Sequence, residues 1–175
     1  EPISQKGRNI RNIQEIIDDK KSAEEYNNDG YKFKSFGLYE EAMRAYRSAI
    51  DAYPDHPMAY NNLAYLYAEL GVNLEEAIRL AEVAVKLDPL NRGYYLDTIG
   101  WIYFKSNELL KARETLEKSV FYNPSAIRKY HLAQVYKKLQ MKDKALAELQ
   151  GAQVIQPTGK LGEQIKNEIL ELQNL

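Results

Sequence analysis

Cysteine is absent from the 175 residues, which excludes disulfides, thiolate metal sites and a cysteine nucleophile. Histidine occurs only twice, leaving little for metal binding or imidazole acid–base chemistry. Nine glycines and six prolines are too few for a loop-rich or β-sandwich chain. Neither sign of charge dominates: 24 basic side chains face 25 acidic ones, a net charge of −1. A dedicated nucleic-acid binder would be clearly basic. No apolar run approaches the ~20 residues of a membrane-spanning helix. The first ten residues, EPISQKGRNI, contain no apolar core of a signal peptide. The chain begins at Glu1 rather than Met, so nothing follows about targeting, and a cytoplasmic and a bacterial periplasmic or envelope-associated setting both stay open. What is present is ordinary for a globular chain, 45% hydrophobic and 28% charged. At ~100–200 residues per domain, the length suits one domain or one short array.

The chain repeats itself. Prolines at Pro54, Pro89, Pro124 and Pro157 are spaced by 35, 35 and 33 residues. Ala42, Ala77, Ala112 and Ala145 follow the same spacing, as do Ala49, Ala84, Ser119 and Ala152. A second small set is Gly30, Ala64, Gly100 and Ala133, and an aromatic set is Phe33, Tyr67, Tyr103 and Tyr136. Within each copy the apolar and small residues recur at 3 and 4, the signature of one helical face. Gly37 and Tyr53-Pro54 punctuate the first copy, since the residue before proline leaves the α region. The pattern predicts helix pairs at 23–36 and 39–52, 57–70 and 74–87, 93–105 and 108–121, and 126–139 and 142–155. Neither helix of a pair can bury its apolar stripe alone, so each pair must stack on the next.

These units resemble tetratricopeptide (TPR) repeats. The resemblance rests on Tyr26…Gly30…Phe33…Gly37…Ala42…Tyr46…Ala49…Pro54 in the first copy and Tyr60…Leu63-Ala64…Tyr67…Gly71…Ala77…Ala84…Pro89 in the second. It continues in Leu96…Ile99-Gly100…Tyr103…Ala112…Leu116…Ser119…Pro124 and in Leu132-Ala133…Tyr136…Ala145…Leu149…Ala152…Pro157. The stretch from Tyr95 to Phe104 is similar to one frequent in bacterial TPR proteins. The implied fold is an all-α, right-handed solenoid. Its expected parts are an N-terminal extension (1–22), four helix-turn-helix units (23–56, 57–92, 93–125 and 126–159) and a C-terminal capping helix (160–175). Asp29 and Lys129 depart from the family pattern, standing where it has core-facing apolar side chains. The turn near Gly71 and the junction at Arg92 each carry one extra residue.

At the C-terminus, Leu161, Ile165, Ile169 and Leu172 form the stripe of a capping helix. At the other end Ile10, Ile13 and Ile17 recur at 3 and 4, with no glycine or proline over 9–29, so this helix is expected to run into the first repeat. The three isoleucines read as a cap over the array or as an exposed interface stripe.

The resemblance implies that the first helix of each pair lines a concave groove. The stripe beside the core stripe then faces that groove. It holds Asn27, Asn28 and Tyr31 in the first unit and Asn61, Asn62 and Tyr65 in the second. Tyr94, Asp97, Thr98 and Trp101 follow in the third, and Tyr130, His131 and Lys138 in the fourth. Carboxamides can pair with a ligand's backbone N–H and C=O. Tyrosine and tryptophan dominate binding hot spots. An extended peptide or a helix suits such a surface. Asn28 and Asn62 also match the asparagine ladder of O-GlcNAc transferase TPR arrays, which Thr98 and His131 break. TPR adaptors of chaperone tails hold a terminal carboxylate with Lys, Asn, Asn, Lys and Arg. Those positions are Asn27, Tyr31, Asn62, Tyr94 and Thr98 here, and only Asn62 matches, which argues against that clamp.

Charge is uneven along the array. Residues 23–56 and 57–91 each carry a net −3, and residues 126–159 a net +4. A partner with acidic groups would dock at the last repeat, or two copies would associate head to tail. Catalytic signals are missing: Gly159-Lys160 lacks the frame of a phosphate loop, and His56 reads as a turn or cap residue. The expected function is that of a non-enzymatic scaffold or adaptor for a protein or peptide partner, with no cofactor, metal or nucleic acid. Self-assembly through the ends and a regulatory role inside a larger enzyme are the alternatives.

Overall fold

The computed structural model describes residues 12–174, and among them every regular element is helical apart from short turns. Two compact units divide at Ala59 and Tyr60, inside the first turn of one helix. Ile10 lies outside the described residues.

The first unit pairs α1 (Ile13–Ser35) with α2 (Tyr39–Ala52). A capping box starts α1: Asn12 Oδ1 accepts from the Glu15 amide at 2.8 Å, and the Glu15 carboxylate accepts from the Asn12 amide at 3.3 Å. Helix α1 runs unbroken past residue 22, so one helix joins the described part of the N-terminal extension to the first repeat. Gly30 lets the pair close. A Cβ there would lie 2.5 Å from the Tyr46 ring. Asp29, out of place by the family pattern, is paired one turn on with Lys32 at 3.0 Å.

The second unit begins within α3 (Pro57–Leu70) and continues with α4 (Leu74–Leu87), α5 (Arg92–Lys105), α6 (Leu109–Tyr122), α7 (Ala126–Lys138), α8 (Lys142–Ile155) and α9 (Gly159–Gln173). Helices α5 and α6 form one hairpin and α7 and α8 the next. The hairpins stack through α4 on α5, α6 on α7 and α8 on α9. Gly100 sits against Leu116 as Gly30 does against Tyr46. Ala112, Leu116, Leu132, Ala133, Leu149 and Ala152 form one core with Ile165, Ile169 and Leu172 of α9. The C-terminal stripe thus closes the last hairpin. Lys129, the second residue out of family pattern, reaches Glu148 on α8 at 2.8 Å. The extra residue at the Arg92 junction is accommodated by a 3-10 turn over Pro89–Asn91, which Asp88 caps and which leads directly into α5 at Arg92.

One backbone rule recurs in all four hairpin turns. Gly37, Gly71, Asn107 and Gln140 each take a positive φ, between 58° and 76°. Each follows a helix closed by the Schellman pair of bonds, such as Leu38 N to Phe33 O and Gly37 N to Lys34 O. The inserted residue at the second turn makes Asn73 left-handed as well, at φ 49°. Glycine takes this conformation without cost and asparagine with little, whereas Gln140 does so against its own sterics. Gln140→Gly is expected to stabilise the chain by about 0.5–1 kcal/mol, because Gln140 is exposed and its side chain adds no packing. A urea midpoint that stays or falls in this variant would count against a strained turn.

Candidate functional site

In the second unit the first helices of successive pairs are α3, α5 and α7, and their adjacent stripes meet one another. The Trp101 indole N–H on α5 donates to Glu69 on α3 at 3.1 Å. His131 on α7 stands 3.0 Å from both carboxylate oxygens of Asp97 on α5. A carboxylate only accepts, so Nδ1 carries the proton and donates. Trp101 stacks on His131, with ring centroids 4.2 Å apart and planes at 19°, and on Phe104 at 4.8 Å and 15°. On α7, Tyr130 (2.8 Å), Gln134 (2.8 Å) and Lys137 (2.6 Å) all donate to Glu168 of α9.

Electrostatics follow from this geometry. Burial and the neighbouring Glu69 and Asp97 charges push the Tyr65 phenol well above its ordinary range. Burial and the Glu168 charge do the same to Tyr130. Burial would raise the Glu168 carboxyl, but the Lys137, Gln134 and Tyr130 donors outweigh it and hold the group below the usual carboxylate range. These are stable hydrogen-bonded partners, and none is poised near neutral pH. Among the described residues no three His, Cys, Asp or Glu side chains converge as a metal site would require.

The structure corrects the expected open wall. Asn27, Asn61, Asp97, Thr98 and His131 are buried, so none offers its face to a partner. Asn61 Oδ1 is buried without a hydrogen-bond partner. Trp101 is half-buried between two rings, while Tyr130 is half-buried and bonded to α9. Asn62 and Tyr65 are half-buried. Asn28 and Tyr31 on α1 are exposed, Tyr31 at 68%. Tyr94 and Lys138 are also exposed. The centre of the stripe in the second unit is sunk, and its two ends are open: Tyr94 and Ile127 near the helix starts, Glu69, Lys105 and Lys138 near the helix ends.

Ile13 and Ile17 are exposed, at 78% and 50%, and so do not cap the α1–α2 pair. His56 is a cap, as expected: its Nδ1 accepts from the Ala59 amide at 3.1 Å, leaving Nε2 to donate to Glu24. The sequence reading missed Phe104, Gln164 and Glu168. The repeat period itself pointed to the last two, because Glu168 lies 34 residues beyond Gln134 and Gln164 lies 34 beyond Tyr130.

Helical hairpins that recur every 33–35 residues and bond to their equivalents one repeat away define an α-helical repeat protein. Residues 33–92 match the family model of the tetratricopeptide repeat. Over 103 residues the chain is 36% identical to Hsp70-Hsp90 organizing protein 3 of Arabidopsis thaliana, a stretch covering 58% of this chain and 18% of that one. The chain spans under a fifth of the length of the plant organizing proteins it matches. Among solved structures, MamA protein superposes with a TM-score of 0.61 at 22% identity, covering 88% of this chain and 89% of that one. The first TPR of Spaghetti (RPAP3), bound to the HSP90 peptide SRMEEVD, superposes with a TM-score of 0.62 at 23% identity, over 69% of this chain and 95% of that one. Residues 33–92 carry tetratricopeptide repeats, and the fold is the all-α, helical-hairpin fold of such repeat proteins.

Proposed function

We propose that this chain is a non-enzymatic adaptor whose second unit takes an acidic peptide or helix along the first helices of its repeats. The observation that carries the proposal is the pair Lys105 and Lys138. Both are exposed at the same position of successive first helices. They stand beside a wall that cross-repeat hydrogen bonds already hold in place. A pre-ordered wall loses little entropy when a ligand settles on it. Tyr94 and Ile127 at the opposite end add apolar contact.

The RPAP3 structure holds an HSP90 peptide, and the organizing proteins are named for Hsp70 and Hsp90. This chain keeps only Asn62 of the five clamp residues, so its recognition of acidic groups falls to Lys105 and Lys138 instead. Reversal of both charges, Lys105→Glu with Lys138→Glu, is expected to weaken capture of a protein partner at least tenfold without unfolding the chain, since the two side chains are exposed. The SRMEEVD peptide is expected to bind the wild type no better than millimolar. Pull-down with the wild type and the double variant, read by mass spectrometry, together with titration of that peptide, tests both statements. An identical set of captured proteins, or micromolar peptide binding, would refute them.

A further inference from the structure

Tyr94 and Lys105 lie eleven residues apart on α5, and Ile127 and Lys138 eleven apart on α7. Eleven residues make three helical turns, so each pair shares one face, and at 1.5 Å per residue its members stand about 16 Å apart. All four are exposed, whereas Asp97, Thr98 and His131 between them are buried and Trp101 is half-buried. The second unit therefore carries a shallow trough across α5 and α7, apolar along one rim and cationic along the other. Lys105 Nζ stands 5.2 Å from the centre of the Trp101 ring, so its charge lies over the floor. Carboxylates flank the cationic rim on both sides: Glu69 on α3, and Glu168 and Glu171 on α9. An occupant can therefore set two acidic groups on this rim, one repeat apart.

The floor decides which backbone can lie there. An extended peptide needs the surface beneath it to pair its N–H and C=O groups, whereas a helix pairs its own. This floor has little to give. His131 donates to Asp97 and the Trp101 N–H to Glu69, while Tyr130 and Gln134 donate to Glu168. Asn61 Oδ1 lacks a partner but is buried beyond a ligand's reach. Spacing points the same way. Packed helices such as α5 and α7 lie about 8–10 Å apart. Residues i and i+7 of a helix share a face and are about 10.5 Å apart. Residues on one side of a strand are about 6.7 or 13 Å apart, which fits the two lysines less well.

We infer, on the strength of the peptide-binding face proposed above, that the occupant of this trough is an amphipathic α-helix lying across α5 and α7. Its acidic side chains, two turns apart, meet Lys105 and Lys138, and its apolar edge meets Tyr94 and Ile127. Trp101 is the chain's single tryptophan and lies in the floor, so its emission reports occupancy. The full chain is titrated with three tryptophan-free probes. The first is a stapled helix of about 18 residues, with two glutamates seven positions apart and two leucines on the opposite edge. The second carries two central prolines and no staple, which prevents the helix. The third is the stapled helix with both glutamates changed to glutamine. The first is expected to bind at least tenfold more tightly than either of the others. Lys105→Glu with Lys138→Glu should abolish the preference for the first probe over the third. Ile127→Ser should weaken the first about fivefold and leave thermal unfolding in place, because Ile127 is exposed. Equal binding of the helical and proline probes, lost alike in the double lysine variant, would overturn the helix and leave the acidic-peptide face standing. Tight binding of the first probe that neither the lysine nor the Ile127 variant alters would place the helix elsewhere and overturn the inference. No binding of the first probe would overturn it too, and identical proteins captured by the wild type and the double lysine variant would then remove the peptide-binding face as well.

Discussion

Replacing Trp101 by alanine is expected to lower stability by about 3 kcal/mol, toward the lower end for a large aromatic because the indole is only half-buried. Its ring is sandwiched between Phe104 from its own helix and His131 from the next first helix. Its N–H reaches back to Glu69 on the previous one. Truncation therefore removes the packing on both faces and one hydrogen bond, and it strips the cover from the buried His131–Asp97 pair. Trp101→Phe separates these parts. It keeps a stacking ring but loses the Nε1–H bond and the packed area of the fused ring, so it should cost about 1–2 kcal/mol. Urea unfolding followed by far-UV circular dichroism measures both variants without relying on the lost fluorophore. In a repeat array stability is a sum of neighbour interfaces. The alanine variant should therefore also broaden the transition, as α3, α5 and α7 lose their shared link. A cost below about 1 kcal/mol for the alanine change would show that the sandwich does not hold these helices together.

The helices were legible because the repeat makes close approach periodic. A small residue in the first helix must face a bulky one in the second, and Gly30 against Tyr46 and Gly100 against Leu116 show the constraint directly. Every predicted helix of the four pairs agrees with the structure to within one residue at each end, except that α1 starts earlier. The turn conformation was half-legible. Glycine announces a left-handed residue at 37 and 71, but Asn107 and Gln140 do the same work in the later copies. There the helix-closing hydrogen bonds impose the backbone, and the side chain follows.

The binding face was less legible, for a physical reason. A helical offset identifies which stripe lies beside the core, but not how deeply the neighbouring repeat covers it. Asn61, Asp97 and Tyr130 occupy equivalent positions on the flank of the stripe. The first two are buried and the third is half-buried against α9. Asp97 and Tyr130 bond to partners on the next repeat helix, so polar and aromatic groups that resemble a ligand's partners serve the array itself, whereas Asn61 Oδ1 is buried without a partner. The readable signal was the arithmetic of 34, since hydrogen-bonding side chains 34 residues apart, such as Asp97 and His131 or Gln134 and Glu168, face each other across successive repeats. Lys105 and Lys138, in contrast, lie past the sunk centre, where solvent reaches.

Gly162→Ala tests whether α9 belongs to the array by backbone contact rather than by side chains alone. In most helices this change stabilises by up to about 1 kcal/mol, because alanine is the better helix former. Here the new Cβ would lie 2.8 Å from the Pro157 carbonyl carbon and 2.9 Å from the Gln156 oxygen. Both are main-chain atoms of the junction and cannot swing aside as a rotamer can. The helix must shift instead, and with it Ile165, Ile169 and Leu172, all buried in the last hairpin's core, and the Glu168 contacts to α7. Overpacking of this kind costs about 1–3 kcal/mol, and the upper value is expected because the clash meets backbone. Gly100→Ala is the control. Its Cβ would meet the Leu116 side chain at 2.5 Å, a group that can change rotamer, so a smaller loss of about 1–2 kcal/mol is expected. Hydrogen exchange should show the difference in place. Gly162→Ala should open α9 and the α7 face beneath it, leaving α1 and α2 protected as in the wild type. A variant as stable as the wild type, with α9 amides still slow, would mean that the junction yields more readily than α9 does.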